Sequence, residues 1–372
     1  MTQSERLTRP AVAPHSGLVV FLKTHEGGST FGVEARDART GAVRWSSAQW
    51  KPGGRTAEIR ADDVQLVVTS KNGKDFAALV APVREGADAV DRGVATTTAA
   101  IFAADSAGPG IAPVREVKVP GAGTATPHDT AGTLAFANDT GARIVDVTTG
   151  AVGSRLDRRS REYLLKVNRY FRMDDAWPGQ DVLPTGAQKE DFPNHGESHG
   201  VRGGYVAAAW PSKKEDSSSL GEPMNFVWAL HEEQTGKPVY ALACDGLTEG
   251  GKISSESRAV LSDNGRYLVT GYVAFDLQAK KGYCFGGTRD QARVDFLGVD
   301  NAGTAYGTAR TPGTGVPVSV DLATGAHTEL GGATLPTRVT GDLALYVAAP
   351  QNEKNPAADP AHHAVLRVYP KR

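Results

Sequence analysis

Cysteine is nearly missing: Cys244 and Cys284 are the two among 372 residues. No CxxC pair and no Cys/His spacing of the zinc-finger kind occurs, which excludes those metal modules. No stretch approaches the roughly 18 apolar residues that a spanning helix needs, so no membrane span is expected. The opening "MTQSERLTRPAVAPHSG" has no apolar core segment and does not read as a signal peptide. A charge excess is also lacking, with 41 basic against 42 acidic side chains and no basic stripe interleaved with aromatics. Nucleic acid is therefore not an expected partner. No Cys stands beside a His, so no cysteine-nucleophile motif is found. Helical periodicity is almost absent too, and Leu165–Arg172 ("LKVNRYFR") is the one place where a helix is entertained.

What is plentiful is turn chemistry, with 43 Gly and 21 Pro. Two words recur. The first is strand, tight turn, strand, seen best in "SRAVLSDNGRYLVTG" (Ser257–Gly271). Its echoes lie at Pro10–Leu22, Ala57–Val68, Ala125–Ala137, Ser198–Trp210, Val294–Ala309 and Thr337–Ala349. The second word follows each copy and centres on Asp-x-x-Thr-Gly or a worn version of it, at Asp37, Asp105, Asp146, Glu233, Asp276 and Asp321, with "VLRVYP" at Val365–Pro370 in the last copy. Each unit thus reads as strands A, B, C and D of an antiparallel meander, with Gly at the C–D turn supplying positive φ. One such sheet has two apolar faces and cannot bury both alone. Stacking the units radially buries both and leaves only short edges.

The expected fold is all-β, a seven-bladed β-propeller of four-stranded antiparallel blades in a single domain over 1–372. Eight blades is the alternative if Asp157–Asn194 conceals a further unit. The last unit lacks a strand D, and Thr2–Thr8 is the segment placed to supply it.

The word Asp37–Trp45 resembles the PQQ-like, or quinoprotein-like, propeller repeat, and Leu261–Gly271 resembles the "SPDGRYLA" words of WD-repeat and TolB-type propellers. The resemblance implies a propeller along essentially the whole chain, and it leaves function open, because such propellers serve as enzymes, receptors and scaffolds. PQQ itself is not expected: adjacent cysteines and a calcium-binding carboxylate cluster, which the quinoprotein dehydrogenases use, are not found. Cys244 follows "VYALA" and Cys284 follows "KKGY", at the ends of comparable hairpins. Two readings stay open there, a disulfide between neighbouring repeats or two separate thiols.

Spare chain is expected on the face that carries the B–C loops and the D-to-A connections, with tight turns on the other. The insertions fall at Val83–Thr97, at about 157–196, at 211–224 and at 350–361. Loops on a rigid scaffold gather binding residues. The 157–196 segment carries Tyr163, Tyr170, Phe171, Trp177 and Phe192, too aromatic for a solvated linker, beside a basic cluster of Arg158, Arg159 and Arg161. It reads either as a docking plate or as a cap over the third and fourth blades. The metal candidates are the HxExH of His195, Glu197 and His199, which would alternate to one face of a strand, and Asp174, Asp175 and Asp181. Calcium or zinc binding at these is one reading, and the plain reading of both is a polar loop. His128 and His362–His363 read as turn or solvated histidines.

The function expected from these readings is a non-catalytic binding propeller. Its loop face would hold a protein, or a small ligand at the channel mouth. It would act as a monomer, as the extracytoplasmic part of a secreted or anchored bacterial protein in preference to a cytoplasmic one. The alternative is a propeller lyase or hydrolase with a metal-assisted site at the central channel.

Overall fold

The computed structural model describes residues 6–25, 29–53, 59–86, 93–121, 124–128, 132–138, 141–154, 171–172, 183–187, 197–212, 225–233, 235–245, 259–288, 290–311, 314–331, 335–336, 338–340, 343–348 and 365–370. Among them the regular structure is β, apart from one short 3-10 turn at Ala61–Asp63. No helix of the described residues is long and apolar enough to cross a membrane.

Among the described residues seven sheets follow one another along the chain. The first is Arg6–Ala13, Leu18–Thr24, Phe31–Asp37 and Val43–Ser47, with Gly108–Ile111 added at its end. The second is Gln65–Lys71, Lys74–Glu85, Val94–Ala103 and Arg115–Pro120. The third is Thr124–His128, Thr133–Asn138 and Gly141–Asp146. The fourth is Phe171–Arg172, Glu197–Arg202, Tyr205–Pro211, Asn225–Glu232 and Pro238–Asp245. The fifth is Val260–Leu261, Tyr267–Thr270, Val273–Asp276 and Lys281–Cys284, and the sixth is Arg293–Val299, Thr304–Thr311, Thr314–Asp321 and His327–Glu329. Arg338–Thr340, Leu343–Ala348 and Val365–Pro370 form the seventh. Consecutive strands lie side by side in each, except that Gly108–Ile111, between the third and fourth strands of the second sheet, pairs with the first sheet instead.

The chain divides into two compact units, Met1–Leu164 with Val347–Tyr369, and Leu165–Tyr346 with Pro370–Arg372. In the first unit, central strands bury both faces. Lys74–Glu85 sends Ala77, Leu79, Ala81 and Val83 into one cluster with Val20, Leu22, Val33 and Trp45 of the first sheet. Its alternate residues Phe76, Ala78 and Val80 join Leu134, Phe136 and Val145 of the third sheet in another. This is the period of two that a strand between two layers must show. In the second unit Phe226, Trp228 and Leu230 meet Leu268, Tyr272 and Phe275, and Val269 and Ala274 meet Phe296, Val318 and Val320. Fully burying a side chain of this size contributes about 1.5–3 kcal/mol.

The C–D turns follow one design. Asp37 Oδ1 accepts from the Thr40 amide at 2.9 Å and the Thr40 hydroxyl at 3.0 Å, and Asp321 Oδ1 accepts from Thr324 in the same way at 2.8 and 2.9 Å. Gly41, Gly150, Gly236 and Gly325 close these turns at φ of 73°, 74°, 69° and 75°, a region that a Cβ disfavours. Donation from Thr40 and Thr324 holds the Asp37 and Asp321 carboxyls below the usual range. In the fourth sheet the acid is Glu232, whose Oε2 accepts from the Thr235 hydroxyl at 2.7 Å, and not the expected Glu233. The acid stands three residues before the threonine in each of these turns, and Glu232 has that spacing.

Four further expectations are corrected. In the second repeat Ala57–Val68 is not the first hairpin. Ala61–Asp63 is the 3-10 turn, and the hairpin is Gln65–Lys71 to Lys74–Glu85 around Asn72 and Gly73, at φ of 52° and 74°. Asn-Gly is the dipeptide that such a two-residue turn favours. Asp105 does not head a short C–D turn: from Ala103 the chain runs out to Gly108–Ile111, which pairs in parallel with Val43–Ser47 before returning to Arg115. The B–C insertion expected at Val83–Thr97 is trimmed, because the strands run on to Glu85 and start again at Val94. Arg6–Thr8 is not an outer strand of the last sheet; it continues the first strand of the first sheet, paired with Leu22–Thr24. The apolar alternation from Leu7 onward extends that strand across a bulge.

Candidate functional site

Within each meander the B–C loop and the chain's entry and exit lie at one end, and the A–B and C–D turns at the other. At the turn end the side chains tie neighbouring sheets together. Asp75, buried in the second sheet, accepts from His15 Nδ1 at 2.9 Å, the Ser16 amide at 2.8 Å and the Ser70 hydroxyl at 2.6 Å. A serine, a histidine and an aspartate are thus gathered, but the serine hydroxyl donates to the carboxylate and not to the imidazole. The group is therefore a latch between two turns and not a nucleophilic relay, in which the imidazole would take the serine proton. Lys71 pairs with Asp146 of the third sheet in the same manner. Burial opposes ionisation of Asp146, yet the Lys71 ammonium and the Thr148 hydroxyl outweigh it and hold the carboxyl well below its ordinary range. Between the fifth and sixth sheets the Asn264 backbone amide donates to Asn301 Oδ1 at 2.8 Å, and the Asn264 side-chain amide donates to the Asn301 carbonyl at 3.1 Å.

The loop end is built differently. On the sixth sheet Arg293 and Arg310 are cross-strand partners, and both grip Asp295, Arg293 Nε at 2.7 Å and Arg310 Nε at 3.1 Å. The Arg293 guanidinium also lies 4.8 Å from the centroid of the Tyr272 ring. Two cations on one carboxylate leave this group net positive, with the Arg310 side chain 60% exposed. Sequence reading passed over this group. Arg293 and Asp295 share a face by period two, but Arg310 joins them only through strand register.

The 157–196 insertion has two described parts, and both belong to the fourth sheet. Phe171–Arg172 is a strand and not the helix entertained there, pairing Phe171 with Ser198 and Arg172 with Glu197. Residues 183–187 pack on the same sheet: Ala187 is 1% exposed and bridges Ser212, and Gly186 stands over a Val227 methyl. Tyr163, Tyr170, Trp177, Phe192, Arg158, Arg159 and Arg161 lie outside the described residues, as do Asp174, Asp175, Asp181 and His195. Glu197 and His199 fall on the strand Glu197–Arg202, where the register shifts between Ser198 and Gly200. His199 is the extra residue of a bulge, so the strict alternation expected of HxExH does not hold there. Among the described residues no group of three His, Cys, Asp or Glu side chains is placed to hold a metal. His128 ends the strand Thr124–His128, and His362–His363 lie outside the described residues.

The cysteines settle to the first of their two readings. Cys244, on the last strand of the fourth sheet, is bonded to Cys284, on the last strand of the fifth, with Cα atoms 5.5 Å apart. The Tyr240 hydroxyl accepts from the Gly282 amide at 2.7 Å beside it.

No protein-family model and no curated protein matches this chain. Solved structures that resemble it include dipeptidyl peptidase 4 of Porphyromonas gingivalis, at TM-score 0.39 and 10% identity. That likeness covers 92% of this chain and 50% of the peptidase, so the chain spans about half of that protein's length. The Dos1 propeller is similar at TM-score 0.34 and 8% identity over 89% of this chain and 71% of its own. TolB of Acinetobacter baumannii is similar at 0.28 and 11% over 94% and 75%. No role passes from these proteins to this chain.

One buried histidine gives a pH prediction. His231 is fully buried, accepts from the Trp210 indole at Nε2 (3.0 Å) and donates from Nδ1 to the Gly236 carbonyl at 2.9 Å. Burial pushes its pKa down to about 4, against the bond to Gly236 that favours the charged ring. The unfolded chain then binds the extra proton first. Stability is complete above about pH 6.5 and is lost as pH falls toward 4, by about 3 kcal/mol in all. Urea midpoints from pH 7 to 4 should show this slope in the wild type and a flatter one in His231→Gln. Equal slopes would refute it.

Proposed function

We propose that the seven sheets close radially into one β-propeller domain and that the protein is a non-catalytic binding propeller, holding a protein partner at its loop end. One observation carries the reading, the uneven placing of spare chain. Long segments occur between strands B and C at 212–224 and 349–364, between sheets at 155–170 and 246–259, and between the edge strand Phe171–Arg172 and its neighbour Glu197–Arg202 at 173–196, whereas the A–B connections are tight turns such as Asn72–Gly73 and Gly203–Gly204. The excursion 104–114 departs from this pattern and is taken up in pairing with the first sheet. Latches at the turn end leave the loop end as the end that can vary. The Cys244–Cys284 disulfide supports an oxidising, extracytoplasmic compartment.

The test is site-specific photocrosslinking. A benzophenone amino acid at Ser217 or Asn355 should capture the partner in the organism's own extract, whereas the same probe at Arg39 or Lys280, on C–D turns, should not. Capture from the turns in equal yield, or from neither end, would overturn the reading.

A further inference from the structure

The two halves of the disulfide differ sharply in surroundings. Cys244 is 1% exposed and sits in the cluster of Phe226, Trp228, Leu268 and Phe275, whereas Cys284 is exposed at the end of its strand. Thiol exchange needs an incoming thiolate on one sulfur and a departing thiolate on the other, and the departing one leaves more slowly the higher its pKa.

We propose that this disulfide is locked by that asymmetry: while the fold is intact, a thiol can enter only at Cys284, and entry there is slow because the sulfur it must expel is the buried one. In the first step a reductant thiolate bonds to Cys284 Sγ, the Sγ–Sγ bond breaks, and its electron pair leaves on Cys244 Sγ. With a dithiol reductant the second thiol then attacks the mixed disulfide and frees Cys284. The protein gains two electrons and two protons, and the reductant becomes its own disulfide. A thiolate formed at Cys244 would lie among aromatic and aliphatic side chains with its water removed, which raises the pKa of a cysteine and makes it a poor leaving group. Attack at Cys244 would expel the better leaving group, solvated Cys284, but the cluster closes that approach. The sulfur that can be reached has the wrong partner to expel, and the sulfur with the right partner cannot be reached. Fast exchange at either sulfur therefore waits for the outer strands Pro238–Asp245 and Lys281–Cys284 to part, which the Tyr240–Gly282 hydrogen bond opposes. A bond with one exposed cysteine, which reads at first as a redox switch, is a structural closure that answers to unfolding and not to the thiol concentration around it.

The experiment treats the native protein with reduced glutathione, quenches with iodoacetamide in urea, which opens the buried thiol to the label, and reads both cysteines by mass spectrometry. Glutathione should appear on Cys284 and the carbamidomethyl group on Cys244. Reduction by dithiothreitol should run roughly 100-fold slower in buffer than in urea, where both labelling patterns should appear. Native reduction as fast as in urea, or glutathione on Cys244 in the folded protein, would overturn the proposal. Because the wild-type chain is used, no folding defect of a variant can confuse the result.

Discussion

Trp45→Ala should lower the stability of the protein by about 4 kcal/mol, within the usual range for emptying a buried aromatic site. Trp45 is 1% exposed, its ring centroid lies 6.1 Å from that of Phe102, and its indole N–H donates to the Ala104 carbonyl at 2.9 Å. The truncation leaves a cavity between the first and second sheets and strands a carbonyl whose residue is fully buried, a loss of about 1–3 kcal/mol by itself. Trp45 is also the residue that faces Gly108 where the excursion of the second sheet joins the first. Hydrogen exchange should accordingly speed up in Gly108–Ile111 before it does elsewhere in the second sheet. Trp45→Phe, which keeps most of the area and loses the hydrogen bond, should cost about 1–2 kcal/mol. A urea midpoint for Trp45→Ala close to the wild-type value would show that the site collapses without loss and that the indole contact is not what binds these sheets.

The same residue shows how far the fold could be read from letters. Trp45 ends the word Asp-x-x-Thr-Gly-x-x-x-Trp, and both halves of that word proved structural, the acid and threonine as a self-bonded turn and the tryptophan as a core plug. Local patterns of this kind are legible because their physics is local: a strand alternates, and a turn needs a short acceptor and a residue tolerant of positive φ. The second repeat was misplaced because Ala57–Asp63 mimics a hairpin in composition, whereas Lys71-Asn72-Gly73-Lys74 is one in dihedral angle. Gly108–Ile111, written "GPGI", has no strand signal of its own and is held by parallel pairing to the distant strand Val43–Ser47. Arg310 reaches Asp295 by register alone. The aromatics that made 157–196 read as a packing segment lie, apart from Phe171, outside the described residues, and what the described part shows is Phe171–Arg172 pairing with the fourth sheet. That it would add a strand there follows from no pattern in "LKVNRYFR", because a two-residue strand is shorter than any period.

Removing the disulfide should have an effect of the same order. Cys244 and Cys284 are 40 residues apart in sequence, and closing a loop of that length lowers the entropy of the unfolded chain by an amount equivalent to about 4 kcal/mol. The double variant Cys244→Ala/Cys284→Ala should therefore unfold at a clearly lower urea concentration, with a Tm lower by roughly 5 °C in a chain of this size. Its native packing should persist. The cluster of Phe226, Trp228, Leu268 and Phe275 does not depend on the sulfur bridge, and the Tyr240 hydroxyl still holds the Gly282 amide. Near-ultraviolet circular dichroism should thus match the wild type below the transition while the midpoint moves. Adding Tyr240→Phe removes the second tie between these outer strands and should cost about 1 kcal/mol more. If the loss instead appears as a changed near-ultraviolet spectrum with an unmoved midpoint, the bridge is holding native geometry in place, and constraint of the unfolded chain is not the source of its effect.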